Sequence, residues 1–274
     1  MALVQTHVAY TEAWECDSNV HLNVQFYFKR FQEAAAVLHA LGGRAPSRLL
    51  CRHVRYHREQ RLDSAAVTRS GVLPDGSVLH RMEEAGTGAL VATALDRWET
   101  SEGLPGTPEE GEAERAAPRG VEGGPSAPVD ARGLLAAGKA VVSDIAVADP
   151  WMFDAGGRFL PHHVVGRFSN AGAHLWSFAG VSAEWLGERD LGRVAVETKL
   201  TPLAEPRPGA ALRLISWIPE MAEKTLVLSH QLEDFATGEP LARGDVRALV
   251  MDLKARRTVP MPEAAHRRFE TIRP

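Results

Sequence analysis

Residues 14–23 read WECDSNVHLN and place Asp17, His21 and Asn23 directly before a stretch with helical periodicity. Apolar side chains then recur at the spacing of one helix face, at Val24, Tyr27, Phe28, Phe31, Ala34, Leu38 and Leu41. Gly43 follows as a natural helix stop. The spacing predicts an amphipathic helix over 24–41, which begins at a loop carrying a carboxylate, an imidazole and a carboxamide.

The same pattern returns 137 residues downstream, so the chain contains an internal repeat. The aligned pairs include Trp14 and Trp151, Asp17 and Asp154, Arg30 and Arg167, Phe31 and Phe168, and, at a larger offset, His80 and His230. The second helix is predicted over 161–178, with Pro161 in its first turn, where the missing N–H costs little, and Gly180 as its stop. The ordered matches favour a duplication.

The two loops differ at their polar positions. The second loop keeps the aspartate but changes the other residues: Asp154 matches Asp17, Gly157 matches Val20, Arg158 matches His21 and Leu160 matches Asn23. The sequence alone does not decide which copy has diverged from the ancestral site.

Each copy is predicted to contain one strand, the long helix and then four antiparallel strands. The strands are expected at about 5–13, 50–58, 63–73, 77–85 and 88–99, and at about 140–148, 193–201, 210–219, 224–234 and 241–253. A sheet curled around one helix is an α+β arrangement. Residues 101–130 are rich in Gly, Pro, Glu and Ala and poor in apolar side chains, which is typical of a linker that is flexible in part. We therefore predict a first repeat at 1–100, a linker at 101–132 and a second repeat at 133–274.

Composition excludes several classes of protein. The net charge of −4 and the pI near 6.3 argue against nucleic acid or a membrane surface as the main partner. No secretory signal and no membrane-spanning run is visible, so a cytoplasmic location is expected. Cys16 and Cys51 cannot form a disulfide framework and lack zinc-site spacing. His162 and His163 have no other ligand nearby in the sequence, so no metal is expected.

The element order, joined to the loop motif, resembles the hotdog fold and, more narrowly, the 4-hydroxybenzoyl-CoA thioesterase-like family. The residues that carry the resemblance are Asp17, His21, Asn23 and the helix aromatic Tyr27, within CDSNVHLNVQFYFKRFQEAA. It implies a double hotdog that hydrolyses an acyl thioester of CoA or of a carrier protein without a cofactor. Because hotdog units ordinarily pair, it also implies a pseudo-dimer within one chain, which could assemble further into a homo-oligomer.

The resemblance also implies roles for the loop residues. Asp17 would attack the thioester or activate water, His21 and Asn23 would position water or the acyl carbonyl, and helix N-terminal amides would bind the oxyanion. Asp154 would be a second catalyst or a relic of the duplication. Tyr27 and Arg158 would contact substrate, and Arg158 could instead pair with Asp154 and lower its pKa.

Structural roles are the alternatives for the same residues. Asp17 could simply cap a turn or the helix, and Asn23 could serve as the helix N-cap alone. Trp14 and Trp151 are expected to be buried beneath the loops rather than to line a site. The arginines of RLLCRHVRYHREQR, which are Arg52, Arg55, Arg58 and Arg61, could hold a CoA phosphate or remain solvated.

Three functions are compatible with these patterns. An acyl-CoA thioesterase fits best. A hotdog enoyl-CoA hydratase or dehydratase is a second candidate, although Val20 stands where its motif has proline and His21 comes one residue early. A non-catalytic acyl-CoA-binding module is a third. Thiol release, enoyl-CoA hydration, and ligand binding without turnover would distinguish the three.

Overall fold

Each half of the chain contains the predicted succession of one strand, one long helix and four strands. The computed structural model describes residues 2–274. The first half contains β1 Val4–Tyr10, α1 Val24–Leu41, β2 Leu49–Tyr56, β3 Ala65–Val72, β4 Val78–Glu84 and β5 Leu90–Trp98. Two short helices follow, α2 Glu112–Ala116 and α3 Ala131–Ala136. The second half contains β6 Ala140–Val147, α4 Pro161–Phe178, the short α5 Ala183–Gly187, β7 Leu191–Pro202, β8 Ala211–Met221, β9 Thr225–Asp234, β10 Pro240–Asp252, β11 Arg257–Val259 and α6 Glu263–Ile272.

The long helices use most of the predicted apolar faces, although Leu41 at the end of α1 is exposed. Helix α1 packs on β1 and β3, and α4 packs on β6 and β8. The aligned side chains Phe28 and Val165, Phe31 and Phe168, and Leu38 and Leu175 are all buried. Helix on sheet is thus the layer arrangement of each repeat, as the periodicity predicted. Among residues 2–274, none of the helices combines the length and the hydrophobicity that a bilayer crossing requires.

The strands of the two repeats follow the same spatial order. In the first repeat the order is β1-β3-β4-β5-β2, and in the second it is β6-β8-β9-β10-β7, with β11 on β10. The hairpin pairs are antiparallel in both. Ser70 lies opposite His80 in the first sheet, and Ser216 lies opposite His230 in the second. The shared topology and register confirm the internal repeat.

The segment between the repeats is held by polar side chains. Residues up to Pro125 together with Lys199–Thr201 form one compact unit, and Ser126–Thr198 with Pro202–Pro274 form the other. Lys199 Nζ donates to the Glu122 carbonyl at 2.9 Å. Gln231 binds both the N–H and the carbonyl of Val129, at 2.9 and 3.1 Å. The bounds 1–100, 101–132 and 133–274 stay a prediction.

Helix α6 is an element that the sequence patterns did not predict. It packs where α4 ends, at Gly180, whose φ of +84° is left-handed. A Cβ at Gly180 would lie 3.1 Å from the Ala265 Cα. Gly180 therefore ends α4, as expected, and also permits the close approach of the last helix.

A buried polar chain crosses the core of each repeat. In the first repeat Ser70 Oγ lies 2.7 Å from both Thr6 Oγ1 and His80 Nδ1, and Ser216 joins Ser143 and His230 in the same way in the second. In the first repeat these hydrogen bonds continue from His80 to Asp96 and from Asp96 to Arg52. Arg52 is completely buried, so the expectation that it could hold a CoA phosphate at the surface is wrong.

Candidate functional site

The first loop is a tight turn closed at its base. The Asn23 N–H donates to the Glu15 carbonyl at 2.9 Å, and the backbones of Cys16 and Leu22 form an antiparallel β-bridge. At the tip Val20 has a φ of +63°, which is uncommon for a β-branched residue. Its counterpart Gly157 has a φ of +77°. Both loops therefore need the same left-handed position, and only the second fills it with glycine.

Asp17 organises this turn with one carboxylate oxygen. Its Oδ1 accepts from the N–H groups of Asn19 at 2.8 Å and His21 at 3.2 Å. The side chain is exposed, and no residue in the described part of the chain donates to Oδ2. The turn-capping role considered for Asp17 is confirmed, and one oxygen remains available to a ligand or to water.

His21 faces an acidic side chain that the sequence reading missed. Its Nε2 lies 3.4 Å from Glu59 Oε2, and both side chains are largely shielded from solvent. The segment around Glu59 runs alongside the loop, since the Leu22 N–H donates to the Gln60 carbonyl at 2.8 Å and His21 forms a backbone bridge with Arg61. A single Glu in an arginine-rich stretch gave no sequence signal, because its partner lies far away along the chain.

Asn23 is the N-cap of α1, which was the structural role considered for it. Its side chain accepts from the Gln25 N–H at 3.0 Å, and its carbonyl accepts from the Phe26 N–H. The next amide, Val24 N–H, has no acceptor among residues 2–274 and lies at the positive end of the helix dipole. The helix therefore offers a free backbone donor beside the loop.

Tyr27 lies beneath the loop. It is buried, its hydroxyl accepts from the Gln60 N–H at 3.0 Å, and its ring packs edge-on against Tyr56. Burial raises its pKa above the ordinary tyrosine value, against the smaller opposing effects of the Gln60 hydrogen bond and Arg30. Through this contact Tyr27 holds the 57–64 segment against α1.

The second loop repeats the turn but satisfies its carboxylate. Asp154 Oδ1 accepts from the N–H groups of Gly156 and Arg158, at 2.8 and 2.9 Å. The second oxygen, Oδ2, is bound at 2.9 Å by Arg158 Nε. Burial raises the Asp154 pKa, but the bonds and charge of Arg158 outweigh it, so the pKa lies below its usual range. Of the alternatives considered for Arg158, the structure shows the pair with Asp154.

The second helix lacks the amide that corresponds to the Val24 N–H. The residue aligned with Val24 is Pro161, which has no N–H, and Leu160 at the N-cap makes no side-chain cap. The second repeat thus keeps the backbone of the site without its open carboxylate oxygen or its amide.

The two loop tryptophans are exposed, so the expectation that they are buried is wrong. Trp14 is 68% exposed and Trp151 is 66% exposed. Each touches its helix only at an edge, Trp14 against Phe26 and Trp151 against His163. Helical periodicity did not extend to these positions, so it could not indicate on which side of the loop they lie.

His162 and His163 lie side by side in the first turn of α4. Their rings lie against each other, with centroids 3.9 Å apart. Within residues 2–274 no group of three His, Cys, Asp or Glu side chains is arranged to hold a metal ion.

Comparison with known proteins identifies the family of the second repeat. Residues 150–269 match the model of the thioesterase-like superfamily. The second repeat belongs to this superfamily. No curated protein shows significant sequence similarity to the chain.

Solved structures extend the likeness to both repeats. An acyl-ACP thioesterase from Bacteroides thetaiotaomicron is 11% identical with a TM-score of 0.61, covering 88% of this chain and 96% of that one. A Lactobacillus plantarum protein assigned as an oleoyl thioesterase is also 11% identical with a TM-score of 0.61, covering 95% and 98%. The 12:0-ACP thioesterase from Umbellularia californica is 14% identical with a TM-score of 0.55, covering 88% and 92%. The predicted double-hotdog fold is therefore confirmed.

Proposed function

We propose that this thioesterase-like chain hydrolyses an acyl thioester and that the loop of its first repeat does the chemistry. The observation that carries the proposal is the contrast between two loops of the same backbone. Asp17 keeps one carboxylate oxygen open, whereas the matching oxygen of Asp154 is bound by Arg158. A working carboxylate must be reachable by water or by the acyl carbon, and only Asp17 meets that requirement.

The reaction divides among groups of the first repeat. Asp17 Oδ2 takes a proton from water, or attacks the acyl carbon itself before water releases the acid. Either way a C–O bond forms, the C–S bond breaks, and the thiolate takes up a proton as the free thiol leaves. The free Val24 N–H is the proposed donor to the developing oxyanion, and such a donor is worth roughly 100- to 1000-fold in rate.

His21 and Glu59 form the proposed second part of the site. Glu59, 3.4 Å from His21 Nε2, fixes the orientation of the ring, so that the imidazole can position water or the acyl group. Asn23 holds the helix start through its cap, and Tyr27 supports the site from below through Gln60. We assign Asp154 and Arg158 a structural role in the second turn.

The substrate proposal is an acyl chain on CoA or on a carrier protein. The structural neighbours include thioesterases named for acyl-ACP and 12:0-ACP substrates, which supports testing carrier-protein thioesters alongside CoA thioesters. The mechanism requires only the thioester group, and both carriers present the same group.

A thiol-release screen tests the proposal. Purified protein is incubated with short, long and aromatic acyl-CoAs and with the corresponding acyl-carrier proteins, and free thiol is measured with a disulfide dye. Enoyl-CoA hydration and equilibrium binding are measured on the same samples. We expect thiol release from at least one class. Hydration without thiol release, or saturable binding without turnover, would contradict the proposal and favour the hydratase or the binding module.

A further inference from the structure

A buried ion pair joins the first loop to the helix that follows it. Arg30 lies on α1 and is 2% exposed, and Glu15 lies two residues before Asp17 and is 5% exposed. Arg30 Nη2 donates to Glu15 Oε2 at 3.0 Å, and also to the Tyr10 carbonyl and to Thr11 Oγ1.

Glu15 is where the loop closes. Its carbonyl accepts the Asn23 N–H that seals the base of the turn, and its Oε2 also accepts the Glu12 N–H at 3.2 Å. The other donors of Arg30, Nε and Nη1, are buried and have no partner among residues 2–274. The Arg30 charge is therefore balanced through Glu15, next to the residue that carries the proposed chemistry.

The second repeat closes the same turn without this pair. Met152 occupies the place of Glu15, is equally buried, and its carbonyl accepts the Leu160 N–H at 2.9 Å. Arg167, aligned with Arg30, turns instead to Asp144 on β6, with Nη1 3.6 Å from Oδ2. An apolar side chain is thus sufficient to fold the loop.

The stability of the fold does not explain why the first repeat keeps the buried charges of Arg30 and Glu15. Removing two ions from water is costly, and replacing a buried pair by apolar side chains is often neutral or stabilising. The pair occurs in the first repeat, where one carboxylate oxygen of Asp17 has no donor. It is missing from the second repeat, where Arg158 binds the corresponding oxygen of Asp154. Its one distinctive effect is to tie the residue at the base of the Asp17 loop to the body of α1.

We propose that Arg30 and Glu15 are positioning residues, which fix the Asp17 carboxylate relative to the amide at the start of α1. The role rests on the proposed thioesterase function and deepens it. A shift of about 1 Å in a reacting group can cost roughly 100-fold in rate, so a tether between the two halves of the site acts on turnover rather than on substrate affinity.

A transplant from the second repeat tests this role. His7 on β1 pairs with Glu33 on α1, with Nε2 2.9 Å from Oε2. The triple variant His7→Asp/Glu15→Met/Glu33→Asn replaces this pair and Glu15 with the aligned residues of the second repeat, which are Asp144, Asn170 and Met152. Arg30 then keeps an acidic partner on β1 while the loop loses its tether. We expect a melting temperature close to that of the wild type, a KM within about twofold, and a kcat lowered roughly 10- to 100-fold on the best substrate of the screen. A kcat equal to that of the wild type would overturn the proposal.

Two further variants keep the test decisive if the transplant folds poorly. Glu15→Gln removes only the charge and should lower kcat with little change in KM, whereas Glu15→Asp should retain more of kcat than Glu15→Gln does. Arg167→Met breaks the corresponding pair of the second repeat and should leave kcat unchanged. Equal kcat values for Glu15→Gln and the wild type would refute the positioning role alone, whereas a wild type without thiol release would overturn the proposed function as well.

Discussion

The ion pair between Arg52 and Asp96 offers a sharp test of how the first repeat is held together. Both side chains are completely buried, with Nε 2.7 Å from Oδ1 and Nη2 2.5 Å from Oδ2. Arg52 also donates to the carbonyls of Phe28 and Phe31 on α1. The perturbation is Asp96→Asn, which keeps the shape of the side chain and removes its charge.

The expected cost follows from the burial of the partner. Without Asp96 the Arg52 guanidinium is an unpaired buried charge, which typically costs about 3–5 kcal/mol. The pKa leads to a similar value. Burial raises the pKa of Asp96, but the charge and hydrogen bonds of Arg52 outweigh it and bring it from 3.8 to about 2, a difference equivalent to roughly 2 kcal/mol. We expect Asp96→Asn to lower the free energy of unfolding by about 3 kcal/mol.

Urea denaturation followed by far-UV circular dichroism measures this loss. The matched control is Arg52→Met/Asp96→Val, in which the valine copies Val246 at the aligned position of β10. Because the double variant leaves no unpaired charge, its midpoint should lie much closer to that of the wild type. If Asp96→Asn shifts the midpoint no further than the double variant does, the account of the pair is wrong.

Two further predictions concern the second repeat. Burial lowers the pKa of His230 to about 3, whereas an unfolded histidine titrates near 6.5. Below pH 6.5 the unfolded chain therefore binds a proton that the folded chain does not, so the contribution of His230 to the free energy of unfolding is complete above pH 6.5 and is lost as the pH falls toward 3. His230→Asn should flatten the decline in melting temperature between pH 7 and 4. An unchanged pH profile would count against a neutral buried His230. The Phe168 ring lies against Gly244, so Gly244→Ala should destabilise the fold by at least about 1–3 kcal/mol, measured by thermal melting. The double variant Phe168→Leu/Gly244→Ala should recover part of this loss. An unchanged melting temperature for Gly244→Ala would contradict the close approach.

Periodicity predicted the framework of the fold well, for a physical reason. The apolar positions of 24–41 and 161–178 must face a sheet, whatever else surrounds them, so local spacing is enough to place both helices. The helix stops at Gly43 and Gly180 were equally local. Helix α6 was missed because its main contact, Ala265 against Gly180, joins residues far apart in the chain.

The candidate site was only partly accessible to sequence reasoning. The motif indicated Asp17 and Asn23, and both occupy the turn and cap positions that their side chains favour. It could not show that Arg158 occupies an oxygen of Asp154, since pairing was one of two open alternatives. It gave no sign of Glu59, whose contact with His21 exists only in the folded chain.

The central claim is that the open carboxylate of Asp17, and not the paired one of Asp154, carries the reaction. Its most direct test compares kcat/KM for thiol release in wild type, Asp17→Asn and Asp154→Asn. Asparagine keeps the carbonyl oxygen that accepts the turn hydrogen bonds, so folding should be preserved and can be checked by melting temperature. We predict a loss of roughly 100-fold or more for Asp17→Asn and near-wild-type activity for Asp154→Asn; equal losses, or the larger loss for Asp154→Asn, would contradict the account.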